Sequence, residues 1–269
     1  MRENVRITAK DNPAIKHYRR LRDQKKARRA EGLFVIEGLR IVCDALVETA
    51  RVQQVFVTDS AWEKHGETVT ELMQETGSLI RISDTVGDAM TDTEHTQGIF
   101  AVCRIPERRP LAEALKSSGK YLVLCNLQDP GNMGMILRTA DALGVDAILS
   151  CGSCELYSPK VVRATMGSIF RVPVYEETDA LALVELLRAE KIRSYAAVPA
   201  KHAVRLTECD FSSSCAVWIG NEGNGLPADV ISACDTAVTI PMQGGPESLN
   251  AAMAAGIMMW EMTKSGVQR

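Results

Sequence analysis

Residues 121–150, YLVLCNLQDPGNMGMILRTADALGVDAILS, constrain the fold of this chain more than any other stretch. Residues 121–125 are an uninterrupted apolar run of the length expected for a buried parallel strand, and 147–150 form a second. Between them, Asp129, Pro130, Gly131 and Asn132 are turn and cap residues, after which Met133, Ile136, Leu137, Ala140 and Leu143 recur at helical spacing. Parallel strands need a crossover of about this length, so the stretch predicts a strand-helix-strand unit with Asn132 at the helix N-cap. Arg138 falls two turns into a helix made largely of small and apolar residues. It faces solvent, a neighbouring surface or a ligand, and spacing alone leaves those open.

The pattern continues to the C-terminus. A short helix is expected over 111–118, a helix over 161–170 after Ser158-Pro159-Lys160, an amphipathic helix over 180–190, and strands over 194–198, 216–220 and 237–240. The strand at 216–220 runs into Asn221-Glu222-Gly223-Asn224-Gly225-Leu226-Pro227. Three glycines within six residues mark a tight turn where backbone passes close to a ligand or to another stretch of chain. The spacing is not that of the dinucleotide fingerprint and lacks its acidic partner, which argues against a nicotinamide cofactor. After the loop begun by Pro241-Met242, Ser248 reads as the cap of a helix in which Leu249, Ala252, Met253, Gly256, Ile257 and Trp260 share one side. Its many small residues suit close packing, either within the domain or against another helix.

Charge divides the chain. Residues 1–30 hold eleven Lys or Arg against three acids, a balance of +8, so a total of −3 leaves −11 for the remaining 239 residues. Ile15, Tyr18, Leu21 and Ala27 give this segment one narrow apolar stripe, as in a surface helix that docks by one edge and turns its charge outward. A polyanion partner follows, with Lys25, Lys26, Arg28 and Arg29 facing phosphate. Residues 33–106 then alternate strand and helix: strands over 33–38, 52–58, 79–82 and 98–105, helices over 39–49 and 61–75. The proline-flanked segment 106–110 is the natural linker, so the expected domains are 1–106 and 107–269. No apolar stretch is long and uninterrupted enough to span a bilayer and no signal-peptide run opens the chain, so a cytoplasmic protein is expected. Eight scattered cysteines read as reduced thiols, and Cys151 and Cys154 form a lone CxxC without a second pair, so no metal site is expected.

Three motifs together resemble the SpoU (TrmH-like) RNA 2′-O-ribose methyltransferases of the SPOUT superfamily. The first is carried by Asn126, Asp129, Pro130, Asn132, Gly134, Arg138, Ala140, Gly144 and Val145; the second by Gly220, Asn221, Glu222 and Gly225; the third by Ile240-Pro241-Met242 and Ser248-Leu249-Asn250. Residues 160–170 also resemble the family, and the N-terminal half more weakly resembles its ribosomal-protein-like substrate-binding domain. The resemblance implies an α/β chain with a small RNA-binding domain followed by a SPOUT domain, whose parallel sheet ends in a deep trefoil knot. It implies S-adenosylmethionine as cofactor, held by Val198, Gly220, Ile240, Met242, Ser248 and Leu249. It further implies a homodimer, and an acceptor ribose served by Arg138 with Asn132, Glu222, Ser248 and Asn250. Arg40, Lys160 and Arg163 join the basic residues expected on RNA. Ribosomal RNA is the favoured substrate because of the appended domain; transfer RNA, or a non-catalytic RNA-binding protein that keeps the fold, are the alternatives.

Overall fold

The computed structural model describes residues 6–47, 52–72, 78–200, 202–244 and 248–264. Contacts divide the chain into two compact units: Met1–Glu107 with Glu155–Phe170, and Arg108–Cys154 with Arg171–Arg269.

The first unit contains β1 (Arg6–Ile7), α1 (Pro13–Asp23), α2 (Lys25–Glu31), β2 (Leu33–Glu37), α3 (Leu39–Val47), β3 (Val52–Thr58), α4 (Asp59–Leu72), β4 (Ser78–Ile82), α5 (Asp84–Met90) and β5 (Ile99–Arg104). Its mixed sheet has the order β1-β4-β3-β5-β2; β3 and β4 run parallel, and β5 is antiparallel to both β3 and β2. The basic segment is two helices rather than one, because Gln24 adopts an extended conformation between them. The apolar stripe docks as its spacing implies: Ile15, Tyr18 and Leu21 are fully buried, and Tyr18 meets Phe56 and Phe100 edge-on at 6.0 and 5.7 Å. Helix α5 escaped the sequence reading because only Val86 and Met90 supply its periodicity over seven residues. The expected ends of the helices over 39–49 and 61–75 lie partly outside the described residues.

The second unit contains α6 (Leu111–Ala114), β6 (Lys120–Cys125), α7 (Pro130–Leu143) and β7 (Ala147–Cys151). In chain order α8 (Pro159–Ala164) comes next, but residues 155–170 make their contacts with the first unit: Phe34 packs on Tyr157 and Phe170, at 4.8 and 6.3 Å between ring centroids. The second unit resumes with β8 (Val174–Glu177), α9 (Ala180–Ala189), β9 (Arg193–Ala197), β10 (Val204–Arg205), β11 (Cys215–Ile219), α10 (Ala228–Ala233), β12 (Thr236–Thr239) and α11 (Ala251–Thr263). Its sheet is parallel throughout, in the order β10-β12-β9-β11-β6-β7-β8. Every residue of β11 is buried, as a strand covered on both faces requires. One face carries Leu183, Leu187 and Val230 from α9 and α10; on the other, α11 packs against α7, β11 and β6.

Both expected helix caps move. Helix α7 is capped by Asp129, whose carboxylate accepts from Asn132 N at 2.7 Å. Pro130 lacks an N–H and has the fixed φ of a first helical residue, which places the cap one residue before it and leaves the Asn132 side chain for tertiary contact. Helix α11 is capped by Asn250 rather than Ser248, the Asn250 Oδ1 accepting from Ala252 N and Met253 N at 2.9 and 3.2 Å.

Candidate active site

In an open parallel sheet, ligands sit beyond the carboxyl ends of the strands where the strand order reverses. Here it reverses at β6, with β7 and β8 on one side and β11, β9 and β12 on the other. A cleft of about 410 Å³ opens at this end, and Val198, Gly220, Ile240, Met242, Ser248 and Leu249 all line it. Ile219, Leu226, Ala251 and Met258 supply much of its apolar wall.

Of the two close approaches open at Gly220, to a ligand or to another stretch of chain, the structure shows the second. A Cβ there would lie 2.2 Å from the carbonyl carbon of Gly225 and 2.3 Å from Leu226 N, so the chain's own backbone, before any ligand, demands glycine. The loop that creates this approach closes on itself: Asn221 N donates to Gly225 O at 3.0 Å, and Gly225 N to Asn221 O at 2.9 Å. The Asn221 side chain accepts from Gly223 N and Asn224 N, and its Nδ2 donates to Asn126 O at 2.9 Å, tying this loop to the one after β6.

The three sequence motifs meet in one hydrogen-bonded relay. Asn250 Nδ2 donates to Asn132 Oδ1 at 3.0 Å, and Asn132 Nδ2 donates to Glu222 Oε1 at 3.0 Å. Glu222 also accepts from Asp129 N at 2.9 Å and Gln128 N at 3.1 Å. Each amide has one workable orientation. The Asn250 oxygen is committed to its helix, so its nitrogen must face Asn132, and the Asn132 nitrogen must then face the carboxylate. Burial opposes ionisation of Glu222, but the bonds from Asn132, Asp129 N and Gln128 N outweigh it and hold the carboxyl below its ordinary range. Glu222 is therefore anionic at neutral pH and accepts from Asn132, Asp129 N and Gln128 N.

Ser248 lines the cleft and Arg138 stands on the exposed side of α7, so neither belongs to the relay. Sequence reasoning missed Gln128 and gave Asn221 a place in the second motif but no role, although both hold the loops together; Asp129, preceding Pro130, carried a readable cap signal. The thiol of Cys151 is pushed up to about 12 by burial, which makes it inert at neutral pH. Among the described residues no group of His, Cys, Asp or Glu is arranged to hold a metal ion, and no helix is long and apolar enough to cross a membrane.

The basic residues divide. Lys25, Lys26, Arg29, Arg40 and Lys160 are exposed. Arg28 is not part of that surface: it is 4% exposed, pairs with Glu155 through two bonds of 2.7 Å, and donates to the carbonyls of Leu21 and Arg22. Arg163 is half-buried and paired with Asp92. Arg28 is thus withdrawn from the expected phosphate-facing surface, whereas the Arg163–Asp92 pair stays partly exposed.

A model of the SpoU rRNA Methylase family matches residues 119–260, and one of the MRM3-like substrate binding domain matches residues 12–101. The chain is 34% identical to the 23S rRNA (guanosine(2553)-2′-O)-methyltransferase RlmP of Bacillus subtilis (strain 168), over 95% of this chain and 98% of that one. Among solved structures, the AdoMet-bound rRNA methyltransferase from Sinorhizobium meliloti has a TM-score of 0.87 at 28% identity, covering 98% of each chain. An RNA 2′-O ribose methyltransferase has a TM-score of 0.78 at 29% identity, covering 97% of this chain and 99% of its own.

Proposed function

The chain belongs to the SpoU rRNA methylase family, and from that premise we propose that it methylates a ribose 2′-hydroxyl of large-subunit ribosomal RNA, using S-adenosylmethionine. The observation that carries this reading is the cleft at the carboxyl ends of β9, β11 and β12, which Glu222 lines and from which the relay runs through Asn132 to Asn250.

The cleft suits the cofactor. Its volume falls within the roughly 300–1,000 Å³ of small-molecule sites, and glycines and apolar side chains suit an adenosine packed against main chain. Val198, Gly220, Ile240, Met242, Ser248 and Leu249 would hold it. S-adenosylmethionine supplies a methyl group on a sulfonium, open to in-line displacement. The protein's task is then chiefly alignment, and the relay holds the loops after β6 and β11 and the start of α11 in one register for that purpose. A ribose hydroxyl is a poor nucleophile until its proton is strongly hydrogen-bonded or lost. Arg138 resists deprotonation, so its contribution is a planar fork that pins a phosphate and stabilises the forming alkoxide.

We read the active form as a homodimer through α7 and α11. Met135, Met253, Ile257 and Trp260 are 56%, 59%, 37% and 51% exposed, an unusual apolar load for a free surface. Met253, Ile257 and Trp260 follow helical spacing, and Arg138 lies one turn from Met135, on the same side of α7. The same interface would therefore cover the arginine. Light scattering should give a dimer for the native chain and a monomer for Ile257→Glu; a monomeric native chain that methylates RNA would refute this. The chain's return after β12 to pack α11 on α7 and β6 is in keeping with the family's trefoil knot. Residues 1–106 are read as the substrate-binding domain, 107–269 as the methyltransferase domain, and the cytoplasm as the place of action.

The test is to map 2′-O-methyl groups in ribosomal and transfer RNA from cells with and without the protein. One ribosomal position should lose its methyl group. Loss confined to transfer RNA would overturn the substrate assignment, and loss at a base would overturn the chemistry.

A further inference from the structure

A second cavity, of about 570 Å³, lies wholly within the first unit. Thr58 ends β3, Ser60 and Ala61 begin α4, Asp84 begins α5, and Gln97 and Gly98 lead into β5; all of them line it. We propose that this cavity takes one unstacked nucleotide of the RNA substrate, with the base inward against Leu39 and Gly98 and its phosphate on Lys64. The proposal rests on RNA being the substrate.

The floor is built for a flat ligand. Gly98 has φ +71°, and a Cβ on it would lie 2.2 Å from the Thr58 Oγ1, so no side chain can rise there. Beside it, Gln97 Oε1 accepts from Leu39 N at 2.8 Å. That bond fixes the amide and leaves its NH₂ as a preorganised donor on the cavity wall. Asp84 accepts from Ser60 N at 3.1 Å, and hydrogen bonds from Ser60, side chain before backbone, keep its carboxyl below the ordinary range. Asp88 stands one turn further along α5. Two carboxylates repel a phosphate and accept from the amino groups of a base, which orients the nucleotide base-first.

Lys64 is exposed at the same cavity and is placed to take the phosphate. The unit also carries the exposed Lys25, Lys26 and Arg29, which draw a polyphosphate chain rather than a lone small molecule to it. Sequence-dependent reading of RNA works mainly on unstacked bases of this kind, held on flat surfaces and hydrogen-bonded at their edges.

The experiment titrates unmethylated 23S ribosomal RNA, transcribed in vitro, against the full-length protein and its Gln97→Glu and Lys64→Ala variants. Glutamate keeps the acceptor for Leu39 N, replaces the NH₂ donor with an oxygen and adds one negative charge; both sites are exposed, so thermal melts should match the native protein. Gln97→Glu should raise Kd about tenfold, and the loss should persist at high salt, where repulsion by the added charge alone is screened. Lys64→Ala should raise Kd and lower the salt slope by about 1. Cofactor affinity should stay at its native value in both. RNA affinities within about twofold of native in both variants would overturn the cavity's role. The methyltransferase reading is judged separately, by whether the native protein methylates that RNA. Tight binding of free 5′-mononucleotides that Gln97→Glu abolishes, with RNA affinity unaffected, would overturn the proposal in favour of a small-molecule site.

Discussion

Asn250→Asp separates what Asn250 does for its helix from what it does for the site. An aspartate at the N-cap still accepts from Ala252 N and Met253 N, and its charge favours the helix end by about 0.3–1 kcal/mol. It cannot donate to Asn132 Oδ1, which it faces at 3.0 Å in the native chain. If Asn132 flips to donate to the new carboxylate, its own oxygen turns towards Glu222, so one acceptor–acceptor contact persists in either orientation. Asn132 is only 9% exposed, and an unsatisfied buried polar group costs about 1–3 kcal/mol. Subtracting the gain at the cap leaves a net cost of roughly 1–2 kcal/mol, borne by the register of the three loops. If methyl transfer depends on that register, single-turnover rates at saturating RNA and cofactor should fall about 5- to 30-fold. Circular dichroism should show α11 intact. Asn250→Ala, which loses the cap as well, should be less stable than Asn250→Asp by about 1 kcal/mol or more. A native single-turnover rate in Asn250→Asp would show that the relay has no part in the reaction.

Three further outcomes follow from the same geometry. Arg138→Ala should leave cofactor affinity and melting temperature near native while lowering single-turnover methylation by about two orders of magnitude, and Arg138→Lys should rescue little; substantial rescue would mean charge without the planar fork suffices. Arg28→Ala, which strands Glu155, should cost about 3–5 kcal/mol in a denaturant titration, whereas charge reversal at Lys25, Lys26 and Arg29 should leave stability alone and flatten the salt dependence of RNA binding. Because the folded-state pKa of Glu222 lies below 4.5, its stabilising contribution is complete above that pH and is lost as pH falls through the depressed value. The difference in melting temperature between the native protein and Glu222→Gln should thus be constant from about pH 7 to pH 5 and shrink below 4.5, and a change already at pH 6 would contradict the assignment.

The amino-acid pattern by itself specified the parallel strands on either side of α7 well; the residues at the strands' carboxyl ends came from the three motifs that resemble the family. Apolar runs of strand length and helical periodicity are local signals, whereas the order of the strands, with its reversal at β6, is set by the tertiary structure. The stripe of Ile15, Tyr18 and Leu21 was legible for the same reason, since a single periodicity determines which side of a helix is buried. What the pattern could not express is partnership across long sequence distances. The resemblance gathers Asn132, Glu222 and Asn250 about a ribose, but no local pattern says that they bond to one another, as they do over separations of 90 and 118 residues. The pattern counted Arg28 with its exposed neighbours, because nothing local tells a cation that faces water from one that meets Glu155 across 127 residues. It left open whether the chain at Gly220 passes close to a ligand or to another stretch of chain, and the structure puts the backbone of Gly225 and Leu226 there. Hydrogen bonds and close approaches are short-ranged in space but unconstrained along the chain, so only the tertiary structure decides which of these residues are available for chemistry.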